Sequence, residues 1–118
     1  MDNQIYRENI MDHYKNPRNF GKIKYNHSSN GNNELCGDNI NFYVNKKNNK
    51  IDNISFDGEG CAICIASASM LSEKLKNEDI SKIKKINKED IIDMLGINLS
   101  PIRIKCALLP LYTIKNIK

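Results

Sequence analysis

At 118 residues and 13.5 kDa the chain is long enough for one domain with a real core, yet small enough for a bound metal to add useful stability. With 40% hydrophobic residues and no apolar run of bilayer-spanning length, a membrane helix is excluded, and the modest net charge of +4 makes a nucleic-acid surface a poor reading. The start, Met1-Asp2-Asn3-Gln4, lacks the pattern of a secretion signal, so a cytoplasmic location is expected, where four cysteines favour metal or sulfur chemistry over disulfides.

Apolar residues Ile5, Ile10 and Tyr14 recur at near-helical spacing and predict a first helix that stops before Asn16-Pro17. From there to Leu35 the chain is rich in Asn, Ser and Gly and reads as loop with room for one short strand. His13 and His27 fall in these segments and read as structural or solvated rather than as ligands. Alternation then places Ile40, Phe42 and Val44 on one face, Lys47-Asn48-Asn49-Lys50 is turn-like, and Ile51 to Phe56 supplies the returning strand. The hairpin's open end joins Cys36-Gly37-Asp38, which leads in, to Gly58–Cys61, which leads out.

A helix from Cys61 to about Lys76 follows, with Ile65, Ala68, Leu71, Ser72 and Leu75 along one stripe. A thiol at its start faces free amides and the positive end of the helix dipole, making Cys61 a candidate nucleophile or metal ligand. After a charged linker, Asn87-Lys88-Glu89-Asp90 predicts a capped helix running to Gly96. Ser100-Pro101 starts the last helix, directed towards Lys118, with Cys106 in its second turn. Pro110, which costs about 3 kcal/mol inside a helix, predicts a kink or restart. Beyond Asp93 no residue is acidic, while Arg103, Lys105, Lys115 and Lys118 are basic. That face is either simply solvated or a dock for an acidic partner or an anionic sulfur species.

Three thiols and a carboxylate, Cys36, Cys61, Cys106 and Asp38, match the donor types of a tetrahedral zinc site, although 25 and 45 residues separate the cysteines. Four stretches carry more. They are His13-Tyr14-Lys15-Asn16-Pro17-Arg18-Asn19-Phe20-Gly21, Cys36-Gly37-Asp38, Gly58-Glu59-Gly60-Cys61-Ala62-Ile63 with Ala66-Ser67-Ala68-Ser69-Met70, and Ile102-Arg103-Ile104-Lys105-Cys106. In this order, over nearly the whole chain, they resemble the U-type iron–sulfur cluster assembly proteins: IscU, SufU and the N-terminal domain of NifU.

The resemblance implies an α+β fold, a small antiparallel sheet with helices packed on one face, and a metal site at one exposed end. It further implies that Cys36, Asp38, Cys61 and Cys106 hold zinc, iron or a transient 2Fe–2S cluster. One of Cys36, Cys61 and Cys106 would accept persulfide sulfur from a pyridoxal-phosphate cysteine desulfurase, and apo iron–sulfur proteins or carriers would stand downstream. Lys105 occupies the place of the histidine found in IscU-type proteins and, with Arg103, resembles SufU. The SufU insertion between the second and third cysteines is missing, which is IscU-like. Scaffold and zinc-dependent sulfur relay therefore both stand. In either, Lys105 and Arg103 offer attraction for an anionic persulfide, against the alternative of a solvated lysine.

Cys64 is unusual for these proteins. With Cys61 it forms a Cys-x-x-Cys pair at a helix start, the arrangement of dithiol oxidoreductases, but the hairpin does not supply the parallel βαβ surroundings of that class. A small buried thiol is the reading preferred for Cys64.

Overall fold

The computed structural model describes residues 4–117. Met1, Asp2, Asn3 and Lys118, which enter the leader and charge readings above, lie outside them. The order is α1 (Gln4–Lys15), β1 (His27–Asn33), β2 (Asp38–Lys47), β3 (Lys50–Glu59), α2 (Ala62–Leu75), α3 (Lys82–Lys85), α4 (Lys88–Leu95) and α5 (Pro101–Lys115). The strands form an antiparallel sheet in the order β1-β2-β3, an α+β arrangement as expected. No helix among the described residues is long and apolar enough to cross a membrane.

The hairpin turns at Asn48 and Asn49, both with positive φ (50° and 65°), which matches the right-handed twist of the flanking strands. Pairing runs regularly to Asn45↔Asn53 and resumes at Lys46↔Ile51, so β3 carries one extra residue there. This bulge brings Ile51 into phase with Ile54 and Phe56, and all three are buried with Ile40, Phe42 and Val44 of β2.

α2 lies at the centre. Its residues from Cys64 to Ser72, and Leu75, are buried, so burial extends around the helix and beyond the predicted stripe. The reason is its surroundings, with α1 and α5 beside it and β3 beneath, and its Ala and Ser side chains allow that crowding. Two of the serines are hydrogen-bond posts for α1 and the stretch after it, and a third reaches α5. Ser69 Oγ meets His13 Nδ1 at 2.7 Å and accepts the Arg18 N–H at 2.8 Å, while Ser72 Oγ accepts from Asn19 Nδ2 at 3.0 Å. Ser67 donates to the carbonyl of Ala107 on α5 at 2.7 Å.

Two segments carry more structure than their sequence announces. β1, the one short strand for which there was room, consists of His-Ser-Ser-Asn-Gly-Asn-Asn and pairs with β2 along its whole length. It lets α5 come close because a Cβ on Gly31 would stand 2.0 Å from Thr113 Oγ1. The charged linker contains the single turn α3, buried through Ile83. α4 is capped as predicted, with reciprocal Asn87–Asp90 bonds of 2.9 Å and a left-handed Gly96.

The predicted restart at Pro110 does not occur, and α5 runs through it as one helix to Lys115. Leu108, Leu109, Leu111, Thr113 and Ile114 are buried around the proline. Hydroxyls also serve carbonyls there: Ser67 that of Ala107, and Thr113 that of Leu109 at 2.7 Å. The packing of these buried neighbours offsets the lost amide.

Candidate metal centre

The open end of the hairpin gathers residues from three parts of the chain. Cys36 sits in the turn between β1 and β2, held by its N–H to the carbonyl of Asn33 (3.3 Å). Asp38 opens β2, opposite Asn33, and is only 2% exposed. Cys61 is the N-cap residue of α2, with extended backbone (φ −69°, ψ 169°) and no capping bond from its side chain. Cys106 is fully buried in α5, with its Sγ 3.2 Å from Cys36 Sγ.

Asp38 ties these parts together. Its Oδ1 accepts the N–H of Cys61 at 3.0 Å, satisfying one of the free amides at the start of α2. Its Oδ2 is buried and has no hydrogen-bond partner among the described residues. One donor atom each from Cys36, Asp38 and Cys106 lies within 4.8 Å of the others, and such a group can hold a metal ion. An unpaired buried carboxylate oxygen is costly unless something cationic meets it. The donor chemistry, soft sulfur with one hard oxygen, fits zinc or iron.

Burial first, and then the neighbouring side chains of Cys36, Asp38 and Cys61, push the Cys106 thiol well above its usual range. Without a cation it therefore keeps its proton, and a bound cation reverses that preference because thiolate is the ligating form. Cys61 stays outside the tight group of three, although its amide rests on Asp38 and its thiol bears on Cys106. Cys64 is fully buried one turn into α2, and burial first, then the charges of Asp38, Cys61 and Cys36, raise its thiol too.

Lys105 and Arg103 are exposed on the first turns of α5, and Lys105 lines a cleft of about 370 Å³ with Asn32, Asn33, Leu108, Leu109 and Tyr112. His13 is buried between α1 and α2, with Nε2 3.6 Å from Glu73, and His27 bonds to Asn26. Neither histidine is in the group of donors. The bond from Asp38 to the Cys61 amide is what the sequence could not announce, since it exists only once hairpin register and turn are set.

A three-stranded antiparallel sheet, layered with helices and bearing a thiol and carboxylate cluster at its open end, defines a small α+β protein with a candidate metal site. The chain belongs to the family of the NifU-like N terminal domain, which matches residues 5–116. It is similar to the zinc-dependent sulfurtransferase SufU of Bacillus subtilis, 37% identical over 122 residues and covering 89% of this chain and 83% of that one. That alignment is longer than the 118-residue chain itself, so SufU carries residues absent here. The iron–sulfur cluster assembly scaffold protein IscU 1 of Archaeoglobus fulgidus is 37% identical over 96 residues, which cover 78% of this chain and 61% of its own, less than two thirds of that relative. In three dimensions the chain resembles a proposed scaffold protein for the SUF system from Fervidobacterium islandicum, with TM-score 0.79, 28% identity, and 98% and 97% of the two chains covered. The expected fold and family are borne out, and the dithiol redox alternative is not favoured.

Proposed function

We propose that the protein takes part in cytoplasmic iron–sulfur cluster assembly, accepting persulfide sulfur from a pyridoxal-phosphate cysteine desulfurase at a centre made by Cys36, Asp38, Cys61 and Cys106. The observation that carries this reading is the convergence of Cys36 and Cys106 on the buried, half-unpaired carboxylate of Asp38. When bound there, zinc or iron supplies a Lewis acid that keeps the thiols as thiolates. The hard oxygen of Asp38 is the donor most readily given up among soft ones.

Sulfur transfer needs only thiol–persulfide exchange. An acceptor thiolate attacks the terminal sulfur of the desulfurase persulfide, the S–S bond breaks, the desulfurase cysteine leaves as thiolate, and the acceptor becomes the persulfide. Cys36 and Cys61 are partly exposed and Cys106 is buried, so the first two meet the incoming sulfur. Lys105 and Arg103, exposed beside Cys106 in the chain, supply positive charge for the anionic persulfide. Scaffold action is the second reading, favoured by the missing SufU insertion between Cys61 and Cys106.

The test is to measure metal in the purified protein and then mix zinc-loaded and iron-reconstituted forms with a cognate desulfurase and cysteine without oxygen. Strong stimulation of sulfide release by the zinc form is the relay outcome, and a visible-absorbing cluster that passes to an apo-protein is the scaffold outcome. Cys36→Ser, Cys61→Ser and Cys106→Ser should each lose metal or the mass gain of one sulfur atom. A protein that binds neither metal nor sulfur, or triple behaviour identical to wild type, sinks the reading.

A further inference from the structure

Gly60 joins β3 to α2, directly before Cys61. It is not among the glycines with positive φ, so its backbone is open to any residue and the need for glycine must come from space. A Cβ at Gly60 would stand 2.9 Å from Asp38 Oδ1, closer than real Cβ atoms come, and 3.2 Å from both Cβ and Sγ of Cys64. It would be wedged between the two. Cys64 is fully buried on a helix that is itself enclosed, so it cannot give way. The Asp38 carboxylate ends a rotatable side chain, is held through Oδ1 by the Cys61 amide, and has no hydrogen-bond partner on Oδ2 among the described residues.

We propose that Gly60 is a positioning residue for the metal centre: the space left by its missing side chain, walled by Cys64, seats the Asp38 carboxylate on the Cys61 amide and keeps it beside the Cys36 and Cys106 thiols. A methyl group at this position displaces the carboxylate rather than the fold. The role of Cys64 is then that of a filled wall behind the oxygen ligand, not of a ligand or redox partner. This inference rests on the reading of Asp38 as a metal ligand.

The experiment compares wild type, Gly60→Ala, Asp38→Ala and the double variant in three measurements. They are zinc affinity by competition with a chromophoric chelator, the ligand-field spectrum of the cobalt(II)-substituted protein, and melting of the metal-free protein. Gly60→Ala is expected to weaken zinc by about 10-fold or more, the scale of losing a ligand-orienting neighbour. Its cobalt bands should move as those of Asp38→Ala do, and its metal-free melting should stay close to wild type. In the Asp38→Ala background the added methyl should change zinc affinity little, because the group it displaces is already gone.

Independent losses that multiply in the double variant overturn the proposal, as does a wild-type cobalt spectrum for Gly60→Ala beside an altered one for Asp38→Ala. If Asp38→Ala itself keeps wild-type affinity and spectrum, the ligand reading fails and the inference with it. Should the alanine at position 38 prevent folding, Asp38→Asn keeps the shape and takes its place in every comparison.

Discussion

A thiol that is buried and neutral behaves as a small apolar side chain, and Cys64 meets that description in every respect. Cys64→Ser exchanges it for a hydroxyl that must be desolvated, a penalty of about 1–3 kcal/mol. The expected outcome is a lower unfolding midpoint in urea with zinc affinity near wild type; loss of metal at unchanged stability would make Cys64 a ligand. At this scale the sequence was informative about chemistry and silent about aim. The residue types at 36, 38, 61 and 106 pointed to candidate donors, of which Cys36, Asp38 and Cys106 lie together, whereas the seating of Asp38 on the Cys61 amide depends on where Asn39 pairs with Glu59.

The elements show why some were legible and others not. The hairpin, α4 and the start of α5 declare themselves through alternation, paired caps and Ser-Pro, and each formed where expected. β1 has no apolar side chain to set a period, because its stability comes from backbone pairing with β2 and from a glycine that admits α5. Burial around α2 was hidden for the opposite reason: small residues look the same on all sides. The α1–α2 contact carries a pH dependence. Burial first, and then the charge of Arg18, hold the His13 imidazole below its ordinary 6.5, against smaller opposite pulls from Glu73 and Asp12. The unfolded chain therefore takes up the proton more readily than the folded one. Stability from this contact is complete above 6.5 and is lost as pH falls through the folded value. Urea midpoints measured from neutral pH downward should decline in wild type, with a shallower decline in His13→Gln. Equal slopes would exclude His13 as the cause.

For the molecule as a whole, one hydrophobic cluster runs from the hairpin through α2 to α5, and the donors sit at its edge. A metal that binds only the folded form should raise stability by mass action, about 4 kcal/mol when free metal exceeds its dissociation constant a thousandfold. Melting followed by calorimetry with zinc and then with excess chelator should show a clear drop, and coincident curves would mean that the centre is not formed by folding. The general architecture could be anticipated from the chain because its motifs span nearly the full length in order. The unbroken passage of α5 through Pro110 could not, since the burial of the residues around it is settled only by the whole fold.

The candidate donors come from the turn before β2, the first residue of β2, the cap of α2 and the second turn of α5. As the chain leaves the ribosome, Cys36, Asp38 and Cys61 are present early, and Cys106 arrives 45 residues after Cys61. Until that last helix docks, Asp38 and Cys36 lack the sulfur that completes their group. The group of Cys36, Asp38 and Cys106 is thereby assembled only once α5 docks on the hairpin, so it forms together with the fold and not before it.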